Sequence, residues 1–360
     1  MTEDLMEPLP EGLETLLTRF RAGERVALAR AISVIEGERP AFQRFLHRAL
    51  AEEPSARRLG MTGPPGAGKS SLIASLAALV RSAGDEVGIV AVDPTSPYSG
   101  GALLGDRIRM NDLSTDKGIF IRSMATRGSL GGLATTTKEV IDLMDAFGLG
   151  RVMVETVGVG QTELEITGAA DTVVVVLVPE SGDGIQAMKA GLMEIADVFV
   201  VNKSDRPGAD RLIKDLRVAL HLRAGKPLRD VPAHHGVDLS RAGTKKVDVA
   251  PETSPDLPTW EIPVLKTVAQ TGEGVPELLT AIDEHREFLV ESGELTSRRR
   301  ARAATRVREV ADRALMGILW ARAAADTLLE EGLVQIQEGH ATPYSVSATI
   351  LEELLGPQSG

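Results

Sequence analysis

The stretch from Gly63 to Ser70 reads GPPGAGKS and matches the pattern G-x-x-x-x-G-K-[ST]. It follows the short strand-like run RLGMT and precedes a helix-like segment, which is the context that a phosphate-binding loop requires. Its glycines let successive backbone N–H groups point at phosphate oxygens. We expect Lys69 to reach the terminal phosphates and Ser70 to bind Mg²⁺. The alternative is a glycine-rich turn that only joins the strand to the helix. The predicted nucleotide contacts in this loop are Gly63, Pro64, Pro65, Gly66, Ala67, Gly68, Lys69, Ser70 and Ser71.

A second pattern indicates which base is bound. VFVVNKSD, residues 198–205, carries N-K-x-D at the end of a predicted strand. The Asp205 carboxylate can accept hydrogen bonds from both the ring N–H and the exocyclic amine of guanine, whereas adenine presents an acceptor there. Lys203 would lie along the base plane, and Asn202 would brace the phosphate loop. Alone this pattern is also typical of an exposed turn, but downstream of a phosphate loop it favours guanine.

The segment TVAQTGEG, residues 267–274, is expected to add backbone contacts to the base. The residues predicted to make them are Val268, Ala269 and Gln270.

Acidic residues near predicted strand ends are candidate ligands for Mg²⁺. RVMVET contains Glu155, and Gly158, three residues later, could donate its N–H to the γ-phosphate. Asp93 in VDPTSP and Asp106 in LLGDRIRM are further candidates, although both also fit ordinary turn chemistry. Because Mg²⁺ usually takes one or two protein carboxylates, some of these acids must act through water. The candidate metal ligands are thus Ser70, Asp93, Asp106 and Glu155, and the candidate catalytic residues are Lys69, Asp106, Glu155 and Gly158.

The elements that position these residues alternate between strand and helix. After about residue 58, strand-like runs alternate with helix-like stretches such as SSLIASLAALVRSAG. The runs are RLGMTG, VGIVAVD, GIFIRSM, RVMVET, TVVVVLVP, VFVVNK and PVLKTVA. Several are continuously apolar, which predicts an α/β fold with a doubly wound, mainly parallel sheet covered on both faces.

Helical patterns flank this region on both sides. We predict three domains: an N-terminal helical extension (1–55), a phosphate-loop domain (56–287) and a C-terminal helical arm (288–360). Residues 224–259 read as a long polar surface loop. The arm's predicted helix, from about 297 to 330, carries enough apolar side chains near one face to predict a two-fold dimer. These are Val307, Val310, Leu315, Ile318, Leu319 and Trp320.

Composition narrows the class of protein. The 360-residue chain is 43% apolar, which is enough for a substantial core. Because its formal net charge is −11, we do not expect it to bind nucleic acids in general or anionic membranes. The absence of cysteine excludes disulfides and thiolate metal sites. The first residues, MTEDLMEPLPEGLE, lack an apolar signal core, and the apolar run VVVVLV is too short to span a bilayer. The expected location is the cytoplasm.

Four segments together closely resemble the MeaB-type GTPases: AVDPTSPYSGGALLGDRIRM, ETVGVGQ, ESGDGIQAMKAGLMEIAD and NKSD. Proteins of this family are chaperones of the cobalamin-dependent methylmalonyl-CoA mutase and are also known as LAO/AO transport kinases. The resemblance covers about residues 11–330. It implies Mg-dependent hydrolysis of GTP to GDP, a homodimer, and a B12-dependent acyl-CoA mutase partner whose adenosylcobalamin loading and protection are gated by hydrolysis. In one departure, Val268 stands where many relatives have serine.

Three other functions share parts of this pattern. A nickel-insertion GTPase would be expected to show a His or Cys cluster, but the chain has no cysteine and six scattered histidines. A small-molecule kinase linked to amino-acid transport would need an acceptor pocket with a general base, and no dedicated one is evident. A GTP-binding module without catalytic activity is the third, and hydrolysis measured with and without a mutase distinguishes it from a GTPase.

Overall fold

The computed structural model describes residues 6–50, 54–93, 113, 115–125, 135–156, 162–179, 191–223, 259–321 and 323–355. In this part of the chain, seven strands form one sheet in the order β3-β2-β4-β1-β5-β6-β7, and all neighbours run parallel. The strands are β1 Arg57–Thr62, β2 Val87–Asp93, β3 Ile119–Ala125, β4 Arg151–Glu155, β5 Thr172–Leu177, β6 Val198–Asn202 and β7 Val264–Thr267. The predicted doubly wound parallel sheet is confirmed.

Helices precede, connect and follow these strands. Before the sheet lie α1 Glu11–Arg21, α2 Arg25–Glu36 and α3 Phe42–Ala49. Between and after the strands lie α4 Lys69–Ser82, α5 Thr135–Ala146, α6 Thr162–Glu165 with the 3-10 helix Ile166–Gly168, α7 Leu192–Ile195, α8 Ala209–Arg223 and α9 Val275–Glu291. The C-terminal helices are α10 Glu294–Trp320, α11 Ala323–Gln337 and α12 Pro343–Leu355.

Each face of the sheet is buried in its own apolar core. Successive side chains of a strand point to opposite faces, and β5 is apolar on both. Val173 and Val175 lie in a core shared with α5, α8 and the N-terminal helices. Val174 and Val176 lie in a core with α4 and α9. This two-sided burial explains why the strand reads as a continuous apolar run.

The N-terminal helices pack on the sheet as part of the same core. Phe20 of α1 is buried, and its ring centroid lies 5.3 Å from that of Phe147, just after α5. Arg25 donates to the carbonyl oxygen of Ile119 at 3.0 Å, and Arg122 of the edge strand β3 pairs with Glu36. The predicted helical extension is therefore attached to the edge of the sheet.

The first turns of α10 are anchored at the amino end of the sheet. Arg299 Nη2 lies 2.6 Å from Oδ2 of Asp171, whose side chain is 1% exposed, just before β5. Arg298 donates to both carboxylate oxygens of Asp197, just before β6, at 3.0 and 3.2 Å. Two neighbouring arginines thus neutralise two buried acids and attach the start of this helix to the sheet.

By its internal contacts the chain divides into two compact units, Met1–Arg299 and Arg300–Gly360. The second unit has a small core of Ala325, Val346 and Ile350, against which Leu319 packs. A Cβ on Gly332 would lie 2.2 Å from Cγ1 of Val346, so α11 and α12 approach closely there. The predicted helix 297–330 is instead two helices, because α11 packs against α12 to bury this core.

Large apolar side chains on α10 remain exposed in the structure. These are Val307, Val310, Leu315, Met316, Ile318 and Trp320. Among helices within the described ranges, none combines the length and the hydropathy that a bilayer span requires.

Candidate functional site

The phosphate-loop sequence connects the central strand β1 to α4, which begins at Lys69. Two of its glycines have no room for a side chain. Gly63 has φ +131°, and a Cβ there would lie 2.1 Å from the carbonyl oxygen of Val176. Gly68 has φ +88°, and a Cβ there would lie 2.3 Å from Nδ2 of Asn202. The neighbouring strands β5 and β6 therefore fix the path of the loop.

The Lys69 side chain lies inside this loop and is 5% exposed. Its Nζ donates to the carbonyl oxygens of Gly63 at 2.7 Å and Pro64 at 2.9 Å. The ammonium is thus held at the centre of the curled backbone. The other predicted loop contacts, Pro65, Gly66, Ala67 and Ser71, lie on the same segment of the chain, with Ala67 buried and Ser71 exposed.

Glu155 ends β4, the strand beside β1, and its Cα pairs in register with Met61. Ser70 Oγ donates to Glu155 Oε1 at 2.7 Å, and both side chains are 5% exposed. The next residue, Thr156, donates to the hydroxyl of Thr62 at 2.9 Å and so holds the end of β4 against β1. A hydroxyl and a carboxylate side by side are oxygen ligands of the kind that Mg²⁺ prefers. The residues present therefore fit a magnesium ion.

The other predicted metal and catalytic residues lie partly or wholly outside the described residues. Asp93 ends β2, the strand beside β4, so its backbone lies at the same carboxyl edge as Glu155, while its side chain is outside the described residues. Asp106 and Gly158 lie entirely outside them. The structure therefore brings Ser70 and Glu155 together and leaves the other three as predictions.

Asn202 links the phosphate loop to the predicted base-binding turn. It ends β6, is 1% exposed, and donates from Nδ2 to the carbonyl oxygen of Ala67 at 2.8 Å. Its Oδ1 accepts from the backbone N–H of Ala269 at 3.1 Å and from the hydroxyl of Thr267 at 3.2 Å. One buried amide thus satisfies three groups from two segments, so its orientation is fixed.

The residues after Asn202 turn sharply at the sheet edge. Lys203 has φ +55°, and its Nζ donates to the carbonyl oxygen of Gly66 at 2.9 Å. The backbone N–H of Ser204 donates to the carbonyl oxygen of Thr267 at 3.1 Å, and Asp205 is exposed in the same turn. The Lys203 side chain therefore crosses over the phosphate loop, and Asp205 is accessible to a ligand.

The second turn, predicted at residues 268–270, follows β7. The backbone N–H of Val268 donates to the carbonyl oxygen of Glu273 at 2.9 Å, which closes the turn, and Gln270 is exposed. Sequence reasoning missed two residues that hold it: Thr267, which binds Asn202, and Ser75 of α4, which donates to the carbonyl oxygen of Ala269 at 3.1 Å. Thr267 could have been found as a hydroxyl at a strand end opposite Asn202. Ser75 gives no such signal.

Similarity to known proteins identifies the family of the chain that carries this site. The profile of the family described as "Methylmalonyl Co-A mutase-associated GTPase MeaB" matches residues 28–324. This chain belongs to the MeaB family. The resemblance drawn from the four sequence segments is therefore confirmed, and this MeaB-family protein is a GTPase that binds guanine nucleotides.

Relatives and a solved structure agree with this assignment to the MeaB family. A Pyrococcus horikoshii protein whose name places it among the GTPases is 42% identical over 352 residues, which cover 98% of this chain and 100% of that protein. The mouse "Methylmalonic aciduria type A homolog, mitochondrial" is 34% identical over 313 residues, 83% of this chain and 69% of that protein. A crystal structure of a LAO/AO transport system kinase superposes with a TM-score of 0.66 at 26% identity, covering 97% of this chain and 100% of that chain.

Proposed function

We propose that this GTPase is a chaperone of a B12-dependent acyl-CoA mutase, with methylmalonyl-CoA mutase as its client. GTP hydrolysis would gate the loading and protection of adenosylcobalamin on that enzyme. The observation that carries the proposal is the family match over residues 28–324, because the description of that family reads methylmalonyl-CoA mutase-associated. The mouse relative, named for methylmalonic aciduria, supports it.

The phosphate end of the site would perform the hydrolysis. Lys69 would bind the terminal phosphates, and Ser70 with Glu155 would hold Mg²⁺ directly or through water, with Asp93 and Asp106 as further ligands. When bound, Mg²⁺ neutralises charge on the β- and γ-phosphates. In support of this, Ser70 and Glu155 are both buried, and Ser70 Oγ lies 2.7 Å from Glu155 Oε1. We further propose that the Gly158 N–H binds the γ-phosphate, so the segment after Glu155 responds to which nucleotide is present.

The base end of the site would select guanine. Asp205 would accept from the ring N–H and the exocyclic amine of guanine, Lys203 would lie along the base, and the backbone of Val268, Ala269 and Gln270 would complete the pocket. The hydrogen bonds of Asn202 to Ala67 and Ala269 support this arrangement, since they join the phosphate loop to the base-binding turn.

The client assignment is tested by capture and by kinetics. The tagged full chain, loaded with GDP or with a non-hydrolysable GTP analogue, is exposed to native extract, and the bound proteins are identified. We expect a B12 enzyme among them, bound differently in the two nucleotide states, and we expect the purified mutase to accelerate GTP hydrolysis about tenfold or more. Lys69→Ala serves as the hydrolysis-deficient control.

Two other results would contradict the proposed client. If no B12 enzyme is captured and purified mutase leaves the hydrolysis rate unchanged, the chaperone role is wrong. If the γ-phosphate is transferred to an amino acid or another small molecule rather than to water, the protein is a small-molecule kinase.

We also propose that the second unit mediates a homodimer. On α10, Val307 is 68% exposed, Leu315 59% and Ile318 48%, and several large exposed apolar side chains on one helix are typical of an interface between subunits. A chain ending at Arg299 keeps both arginines that bind Asp171 and Asp197, so unit 1 retains its own contacts. We expect the full chain to have twice the mass of a monomer in solution and the shortened chain to be monomeric, as measured by light scattering.

Point variants make the dimer test specific. Leu315→Gln is expected to shift the full chain toward monomer, whereas Arg308→Gln, an exposed polar change on the same helix, should not. A shortened chain that remains dimeric would place the dimer contacts within Met1–Arg299.

A further inference from the structure

Ser75 lies on α4, the helix that follows the phosphate loop, and it contacts the base-binding turn. Its Oγ is 3.0 Å from the carbonyl oxygen of Ser71, one turn earlier in the same helix. It is also 3.1 Å from the carbonyl oxygen of Ala269, which is 194 residues away in the chain. A serine hydroxyl has one proton, so the two carbonyls share or alternate in accepting it. The bond to Ser71 needs only the helix, whereas the bond to Ala269 requires the turn to lie against α4.

The turn is held at Ala269 from two directions. The N–H of Ala269 donates to Oδ1 of Asn202 at 3.1 Å, and its carbonyl oxygen accepts from Ser75. These two groups belong to successive peptide planes, each of which is rigid. Asn202 therefore fixes the plane before Ala269, and Ser75 fixes the plane after it. With only the first bond, the second plane could rotate about the backbone dihedral angles of Ala269.

We propose that Ser75 is a positioning residue for guanine recognition, because it fixes the peptide between Ala269 and Gln270 in the wall of the base site. This role rests on the proposed guanine site at Asp205 and residues 268–270. The contact of Ser75 outside its own helix is with the carbonyl oxygen of Ala269, so its contribution is directed at the base end of the ligand. It also joins the helix that starts at the phosphates to the turn that faces the base.

A second serine on α4 provides a matched control. Ser82 is exposed, and it donates to the carbonyl oxygen of Leu79 in its own helix at 2.6 Å. Ser82→Ala therefore removes the same hydroxyl from the same helix without affecting the turn. Ser75→Thr keeps a hydroxyl at position 75 and tests whether the donor itself is required.

The test compares ligands that use different parts of the site. Dissociation constants for GDP, ADP and inorganic triphosphate are measured on the full chain by competition with a fluorescent guanine nucleotide. For Ser75→Ala we expect the affinity for GDP to fall about three- to tenfold, which is the effect of losing one hydrogen bond. The affinities for ADP and for triphosphate should stay within about twofold of wild type. The KM for GTP should rise by a similar factor while kcat stays within about twofold. Ser75→Thr and Ser82→Ala should both resemble wild type.

The other outcomes separate this role from the proposed guanine site. If Ser75→Ala leaves the affinity for GDP unchanged and the protein still prefers GDP to ADP, the proposed role of Ser75 is wrong. The proposed guanine site is then unaffected. Equal weakening of GDP, ADP and triphosphate also overturns it, because Ser75 would then only support the phosphate-loop helix. A wild-type protein that binds GDP and ADP equally overturns the guanine site and, with it, the role of Ser75.

Discussion

The Asp205→Asn protein is expected to lose its preference for guanine nucleotides. The carboxylate can accept two hydrogen bonds from the guanine edge, whereas an amide accepts one and sets its own NH₂ against the exocyclic amine of the base. We expect GDP affinity to fall by about 100-fold or more, since each hydrogen bond to a charged group contributes about 1.5–3 kcal/mol. Xanthine carries a carbonyl in place of that amine, so affinity for XDP should rise. Competition binding with GDP, XDP and ADP measures the three affinities.

A control variant shows whether the effect is local. Asp215→Asn removes an exposed carboxylate on α8, outside the base-binding turns, and is expected to leave all three affinities unchanged. Asp205 is itself exposed in the structure, so its substitution should not lower the stability of the fold. Equal affinity of the unmodified protein for GTP and ATP would contradict the guanine assignment.

The Glu155→Gln protein is expected to bind GDP within a few-fold of wild type but to hydrolyse GTP about 10- to 1,000-fold more slowly. In the proposed binding mode the phosphate loop and Asp205 would supply most of the ground-state contacts to the nucleotide, so binding should survive. Glutamine keeps the size of the side chain beside Ser70 but removes its charge, and a neutral amide is a weaker magnesium ligand. Single-turnover hydrolysis and GDP binding, each with titrated Mg²⁺, separate the two effects.

Two further variants define the requirement at this position. Glu155→Asp retracts the carboxylate by one methylene, more than magnesium bonds of about 2.1 Å tolerate without a bridging water, so it should also be slow. Glu194→Gln, an exposed change on α7, serves as the control. Normal basal and mutase-stimulated rates for Glu155→Gln would show that Glu155 is only a strand-end residue and that Ser70, Asp93 and Asp106 suffice for magnesium.

Local sequence patterns predicted the elements around the nucleotide site because each pattern has a local physical cause. The apolar run at residues 173–178 is continuous because β5 is buried on both faces. The glycines at 63 and 68 are required because strands β5 and β6 leave no space for a Cβ. N-K-x-D predicted Asn202 beside the phosphate loop, and its amide lies 2.8 Å from the carbonyl oxygen of Ala67.

The contacts that sequence reasoning did not anticipate join residues far apart in the chain. Ser75 and Ala269 meet only because α4 and the turn after β7 are brought together by the sheet order. Arg298 and Arg299 both bind buried acids at the amino ends of β5 and β6. A single charged residue has no periodicity, so its partner cannot be predicted before the topology is known.

Strand β6 connects the start of α10 to the candidate nucleotide site. Asp197, at its amino end, holds Arg298, while Asn202, at its carboxyl end, binds both the phosphate loop and the base-binding turn. Five residues of extended chain span about 17 Å, and hydrogen bonds to β5 and β7 on either side make the strand stiff. A force applied to the first turns of α10 therefore acts on the same rigid strand that holds Asn202. The start of α10 and the two turns that Asn202 joins are thereby connected through one short segment of backbone.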